Sequence, residues 1–280
     1  MKMLLLCPVC QRDLIRSEAT FRCANLHSFD VAHQGYVNLL LEKPRGDSGD
    51  SKEMLQARQR FLASGHYQQL SDAINQRVRR YLQSRTTSRV LDVGCGEGYY
   101  LGRLKQLLDG DLSQPDCDYC GIDISKDAVR MASAGNKGIL FIAMDSRQKI
   151  LLTDNSVDVL LNIFAPRHAA EFARVLAHDA LLLSVIPGPD HLIELRTAFD
   201  LLNIEKEKQL KVVEQFADGF ELIDSQTVRY EMALSNQDVM NLVNMMPSYR
   251  HLSPQSVKAI RQLDNFQTTA EFALLMFRRR

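Results

Sequence analysis

No stretch of this 280-residue chain approaches the run of about 18 apolar residues that a membrane-spanning helix needs. Membrane-spanning helices are therefore not expected. Net charge is also missing, since 34 Lys and Arg balance 34 Asp and Glu. No internal repeat is present, which argues against solenoid and propeller architectures. A secretory leader is not evident. Met3-Leu4-Leu5-Leu6 ahead of Cys7 faintly imitates a lipoprotein signal, but it is shorter than a signal core of about 7–15 apolar residues. The expected location is cytoplasmic. Cysteine is sparse, and six thiols in a cytoplasmic chain point to metal or chemistry before disulfides. What is there is ordinary for a globular protein: 45% hydrophobic and 24% charged residues, enough to bury a core in one large domain or two smaller ones.

The zero net charge hides an asymmetry. Residues 1–90 hold 14 Lys and Arg against 8 Asp and Glu, while the remainder holds 20 against 26. A basic N-terminal third suggests an anionic partner at that end, although a solvated helix face explains the charge equally well.

Residues Val90 to Tyr100 read V-L-D-V-G-C-G-E-G-Y-Y. A short apolar run carries Asp92 and ends in Gly94, Gly96 and Gly98, after which the pattern turns helical. A strand feeding a tight glycine loop and a helix is the layout over which a cofactor lies. Glycine suits the loop because a side chain would block the ligand and because the turn calls for φ > 0. The dinucleotide fingerprint is G-x-G-x-x-G. The spacing here is G-x-G-x-G, which resembles the first motif of class I methyltransferases that use S-adenosylmethionine. A second strand, Y-C-G-I-D-I-S, ends at Asp123, 25 residues beyond Gly98. An acid so placed accepts hydrogen bonds from ribose hydroxyls; the bland reading of Asp123 is a helix N-cap.

Near the N-terminus, Cys7-x2-Cys10 is followed by Cys23-x3-His27. Two short knuckles present four ligands at tetrahedral-site spacing, with no position left open, so a structural zinc is expected. Leu14, Ile15 and Phe21 lie between them as candidate core, and His33 is a less fitting ligand than His27. The fragment is too small for a core of its own, so the metal would supply folding energy on the order of 10 kcal/mol or more. Cys117-x2-Cys120 lacks partner ligands; Cys120 is expected in a buried strand and Cys117 in a loop.

The expected organisation is a zinc-binding domain over 1–41, a polar linker over 42–53 and a catalytic domain over 54–280. Amphipathic helices are expected over 52–64 and 67–84, carrying Arg58, Arg60, Arg77, Arg79, Arg80 and Arg85. Tyr67 opens the second of these, where it could overhang the cofactor pocket. Strands at 89–93, 118–123, 139–143, 157–163 and 180–186 then alternate with helices at 98–108, 126–134, 167–177 and 190–207, which implies a parallel doubly wound sheet. Segments 220–234 and 266–277 read as a terminal strand pair, with a helix near 236–246 between them. Ligands sit at the carboxyl ends of such strands. That rule picks out Asp145 after the third strand for the adenine, Asn162-Ile163-Phe164-Ala165-Pro166 after the fourth, and Pro187-Gly188-Pro189-Asp190-His191 after the fifth.

In this order the chain carries C-P-V-C, C-A-N-L-H-S-F-D, G-Y-V-N-L-L, G-D-S, G-H-Y, L-D-V-G-C-G-E-G-Y-Y and P-G-P-x-H-L-x-E-L. From about residue 7 onward it resembles the RlmA family of 23S ribosomal RNA guanine-N1 methyltransferases. The resemblance implies an α/β, Rossmann-like fold: a mostly parallel seven-stranded sheet with helices on both faces, behind a small zinc ribbon. It implies zinc ligands at Cys7, Cys10, Cys23 and His27, and S-adenosylmethionine contacts at Tyr67, Gly96, Glu97 and His191. It also implies 23S rRNA as partner and a homodimer as assembly. The family often carries a charged residue where Asn162 stands.

Guanine N1 is a weak acid, so its methylation gains from a general base or from donors to the developing charge on O6. The base must be unpaired or flipped out. Tyr99, Tyr100 and Phe164 are candidates to stack on it, and Asp145 and His168 are candidate bases. Arg77→Ala and Arg79→Ala are expected to weaken RNA binding. The alternatives are methylation of another RNA or of a small molecule, and a non-catalytic nucleic-acid reader.

Overall fold

The computed structural model describes residues 3–42, 50–199, 201, 204–205, 207–246 and 253–280. The Gly46-Asp47-Ser48 motif and most of the 42–53 linker lie outside the described residues. Four strands open the chain: β1 (Leu5–Leu6), β2 (Asp13–Ser17), β3 (Thr20–Arg22) and β4 (Ser28–Asp30). They form an antiparallel sheet in sequential order. Next come β5 (Val37–Asn38), α1 (Lys52–Ala63) and α2 (Gln68–Leu82). The alternating region holds β6 (Thr87–Val93), α3 (Tyr99–Asp109), β7 (Asp116–Asp123), α4 (Lys126–Gly135), β8 (Leu140–Ala143), β9 (Val157–Ile163), α5 (Ala169–Val175) and β10 (Leu176–Pro187). The tail adds α6 (Ile193–Ala198), α7 (Lys208–Phe216), β11 (Phe220–Leu234), α8 (Asn236–Asn244), α9 (Pro254–Arg261) and β12 (Phe266–Arg279).

The large sheet runs β11-β12-β10-β9-β6-β7-β8-β5. Seven strands carry the expected fold, and β12 is antiparallel to both its neighbours. The eighth strand, β5, belongs to the segment expected to end the zinc module. It pairs in parallel with β8 (Val37 to Ile142, Asn38 to Ala143), so backbone hydrogen bonds cross the boundary near residue 41. Strand order reverses between β6 and β9, which opens the crevice where such sheets bind ligands.

Apolar periodicity explains the layering. In β6 and β9, Val90 and Val159 face a core shared with α2 and α3, while Leu91 and Leu160 face a second core. Strands covered on both faces read as near-continuous apolar runs, as V-D-V-L-L-N-I does in β9. Part of that second core is supplied by the zinc ribbon through Leu5, Leu14, Phe21 and Val37. There it covers the face of β7 and β8 beside Ile122 and Ile142. Ile15 is not part of this core. Alternation along β2 turns Leu14 inward and leaves Ile15 71% exposed.

Helix starts follow capping chemistry. Ser51, Ser125 and Ser253 each accept a backbone N–H three residues on, and Ser235 with Asp238 forms a capping box. The helix expected over 190–207 is shorter: α6 ends at Ala198 and α7 starts at Lys208. Helix α9 was not anticipated, although Ser253 followed by Pro254 is a start signal. Cys120 is fully buried as expected. Cys117 lies inside β7 opposite Ser88, not in a loop.

Candidate active site and metal centre

The zinc ribbon brings two matching turns together. Gln11 N–H donates to the Cys7 carbonyl and Leu26 N–H to the Cys23 carbonyl, with Gln11 and Leu26 both left-handed. Cys7 Sγ and Cys23 Sγ lie 3.5 and 3.4 Å from His27 Nδ1, and Cys10 Sγ lies 3.6 Å from Cys23 Sγ. All four donor atoms fall within 4.8 Å of one another. Zinc bonds of about 2.3 Å to sulfur and 2.0 Å to nitrogen require tetrahedral edges of about 3.5–3.8 Å. The donor set therefore fits zinc held through His27 Nδ1. His33 is not in this group. The backbone at Arg12 hydrogen-bonds the Cys10 thiol and holds its pKa below the ordinary value.

The glycine loop leaves β6 at the sheet's switch point. Gly94 and Cys95 donate their N–H groups to the Ile122 carbonyl at 2.9 and 3.1 Å, which ties the loop to the end of β7. Gly94 has φ +77°, and a Cβ there would collide with the side chain of Ala165. Gly98 has φ +84°, starts α3 and would bring a Cβ to 3.0 Å from Ala132 and Phe141. Gly96 N–H donates to Asp123 Oδ2 at 3.0 Å, and Ser125 N–H to Asp123 Oδ1 at 2.8 Å. Ser125, not Asp123, is the cap of α4. Each Asp123 oxygen thus keeps a lone pair beside the loop.

Asp92 lies beneath the loop, 2% exposed. Burial, then the nearby Asp123 and Glu97, push its pKa up to about 8, so it is largely protonated at neutral pH. Burial also raises Glu97, against the pull of Arg58. Arg58 is the site residue that helix periodicity concealed. Instead of facing solvent, it ion-pairs with Asp50 and lies over the loop, where a Cβ on Gly96 would sit 3.4 Å from its Nη1. Its charge registers at Glu97 and Asp123. Asp145 follows β8 next to Asp123, but both its oxygens are held by the fork of Arg147 at 2.9 and 3.0 Å. Those bonds hold its pKa below the carboxylate range.

Tyr67 and His191, 124 residues apart, meet. Tyr67 Oη lies 3.1 Å from His191 Nε2. His191 Nδ1 accepts the Glu271 N–H at 3.2 Å, so the ring proton of the neutral imidazole sits on Nε2 and is given to Tyr67 Oη. The Tyr67 O–H is thereby left to donate to a ligand. Burial pushes the His191 pKa down to about 3, so the imidazole stays neutral. The turn carrying His191 is fixed by Glu271, whose carbonyl accepts the Gly188 N–H at 2.8 Å and whose carboxylate accepts the Asp190 N–H at 3.2 Å.

An aromatic slot adjoins the loop. Phe164 is left-handed (φ +55°) and 43% exposed. Its ring lies 6.5 Å from Tyr67, 6.4 Å from Tyr100 and 5.6 Å from Phe272. Tyr100 Oη is buried there without a hydrogen-bond partner among the described residues, and burial raises its pKa. Asn162 is spent on structure. Its Nδ2 donates to the Pro166 carbonyl at 3.0 Å and its Oδ1 accepts from Ser184 Oγ at 3.3 Å, so it shapes the Phe164 loop. His168 precedes α5 beside Glu171, with Nδ1 buried and unpartnered among the described residues.

Arg77 and Arg79 of α2, expected to hold RNA, are engaged within the molecule. Arg77 pairs with Asp224 and Gln226, and Arg79 with Asp111 at 2.6 Å; beyond the helix, Arg85 pairs with Asp158 at 3.0 Å.

Residues 5–41 match the N-terminal zinc ribbon model of RlmA, and residues 84–188 a methyltransferase domain model. Among solved structures, the MccD protein is 14% identical with a TM-score of 0.50, covering 74% of this chain and 96% of its own; it shows the fold alone. A 23S rRNA (guanine(748)-N(1))-methyltransferase of Streptomyces fradiae is 35% identical over 90% of this chain and 88% of its own length. A Micromonospora griseorubida protein provisionally assigned to 23S rRNA guanine-N1 methylation is 34% identical over 91% of this chain and 90% of its own. With the ribbon, the glycine loop and this similarity along nine-tenths of its length, the chain belongs to the RlmA family of 23S rRNA guanine-N1 methyltransferases, enzymes that use S-adenosylmethionine.

Proposed function

We propose that the protein methylates N1 of a guanine in 23S rRNA. The observation that carries this reading is the aromatic slot of Tyr67, Tyr100, Phe164 and Phe272 opening beside the glycine loop. A flat, half-open aromatic surface takes a planar base lifted from its stack. Bound S-adenosylmethionine would supply an electrophilic methyl on its sulfonium. Gly94, Gly96 and Gly98 would let it lie against the backbone, and Asp123 would accept from its ribose. Asp145 would serve the adenine end, and Arg58 would meet the carboxylate. Asp92 supports the loop from below and Glu97 faces Arg58. Tyr67 donates its hydroxyl proton to the ligand, held in that role by His191.

Transfer is an in-line displacement, so alignment supplies most of the acceleration. Phe164 orients the base. The Tyr100 hydroxyl would donate to O6 as negative charge develops, which makes N1–H more acidic, and the half-open slot lets its proton pass to solvent water. Asp145, held by Arg147, is a poor proton acceptor. Cys7, Cys10, Cys23 and His27 hold a structural zinc. The division into ribbon, linker and catalytic part serves one surface, with the ribbon docked on the sheet. A homodimer belongs to the same reading, and light scattering of the purified protein tests it by mass.

The test uses 23S rRNA from cells lacking the gene, incubated with the protein and the methyl donor. Mass spectrometry should find one N1-methylguanine. Methyl transfer to small molecules, with none to this RNA, would overturn the reading.

A further inference from the structure

We propose that a cleft between the Phe164 loop and the start of α7 binds a phosphate of the RNA backbone next to the target base, through Arg167 and Lys208. This rests on the RNA reading above and names the part of the molecule that grips the strand. The cleft is a cavity of about 300 Å³ lined by Arg167, Glu205, Lys208, Lys211 and Gln215 among others. A second cavity of about 140 Å³ shares Lys208 and Glu205 and runs to Pro187, Gly188 and Phe272. The Phe272 ring stands 4.6 Å from His191 and 5.6 Å from Phe164, so the second cavity ends at a residue that also borders the aromatic slot.

The three cations of this cleft differ in their partners. Lys211 ion-pairs with Glu205. Arg167 and Lys208 have no ion pair among the described residues. Gln215 takes Arg167 Nε at 3.0 Å and returns its own amide N–H to the Arg167 carbonyl at 3.3 Å, which fixes the arginine without neutralising it. Burial lowers the pKa of both cations; Arg167 lowers Lys208 further, and Glu205 offsets this only in part. Two half-buried like charges held near each other are costly unless an anion joins them. The nine-residue helix α7 adds the partial positive charge of its N-terminus, because Glu207 makes no side-chain cap bond there. The fork of arginine and the point charge of lysine suit phosphate. Arg167 follows Phe164 by three residues, a span of at most about 11 Å. A base on Phe164 and a phosphate at Arg167 can therefore belong to one stretch of strand.

The test is binding of an unmodified 23S rRNA transcript to the full-length zinc-loaded protein across a salt series. Arg167→Gln and Lys208→Gln should each weaken binding about five-fold at 0.1 M salt and reduce the slope of log K against log salt by about 0.7. Cofactor affinity by calorimetry should stay unchanged, which also shows that the variants fold. Lys208→Arg should restore the wild-type slope. Unchanged RNA affinity and slope in both glutamine variants would overturn the proposal while leaving guanine methylation standing. Weakened cofactor binding with intact RNA binding would assign the cleft to the cofactor and overturn it equally. A wild-type protein that neither binds nor methylates the transcript would sink the RNA reading and this site together.

Discussion

At the scale of single residues, the contact between Tyr67 and His191 decides most. Replacing Tyr67 by Phe leaves the His191 Nε2–H buried without an acceptor, at a cost of roughly 1–3 kcal/mol. Titration calorimetry of Tyr67→Phe should show S-adenosylmethionine binding weakened about ten-fold, or about 1.4 kcal/mol. An unchanged dissociation constant would remove Tyr67 from the site. His191 also makes the protein acid-sensitive. Its folded pKa of about 3 lies below the ordinary histidine value of 6.5, so the stability of the neutral buried ring is present above pH 6.5 and is lost as pH falls toward 3. Denaturant melts of wild type and His191→Gln should converge by about 2 kcal/mol between pH 6.5 and pH 5. A constant gap would mean that His191 is protonated in the fold.

At the scale of elements, the β6 loop and helix α2 make opposite demands on sequence reading. The glycine loop was legible because its function needs backbone geometry, and only glycine meets it. Gly94→Ala should abolish cofactor binding through strain at φ +77° and collision with Ala165. Adding Ala165→Gly removes the collision and should recover part of the affinity. If it recovers none, strain alone explains the loss. Helix α2 was legible as a helix but not in its partners. Its spacing places arginines on a face, but only the folded chain brings Asp224 and Asp111 to them. These are largely surface pairs, worth about 0–1 kcal/mol. Arg77→Gln should therefore lower stability by no more than about 1 kcal/mol in denaturant melts and leave RNA affinity unchanged. A loss of RNA binding equal to that of Arg167→Gln would return α2 to the RNA surface.

At the scale of the whole molecule, the ribbon is part of the sheet's packing. It supplies Leu5, Leu14, Phe21 and Val37 to the core over β7 and β8, and β5 continues the sheet. Chelation of zinc should therefore do more than melt an appendage. It should lower Tm and open binding of a hydrophobic dye. A dye signal and Tm that do not respond to chelation would show that the ribbon holds without metal.

The sequence alone determined the chemistry of local patterns: four zinc ligands in two knuckles, a glycine loop after an apolar strand, and an acid ending the next strand. Those signals are short-range, because a knuckle, a positive φ or a buried parallel strand restricts residue type within a few positions. Tertiary structure decided what depends on distant segments meeting. It turned Arg58 inward over the loop, closed Tyr67 against His191, spent Asn162 on loop shape and paired Arg77 and Arg79 with acids. It also left Arg167 and Lys208 without an ion pair among the described residues, at the mouth of the same cleft. A side chain's helical face follows from spacing, but its partner and its desolvation follow from the fold, and these two set whether a charge is structural or available to a ligand.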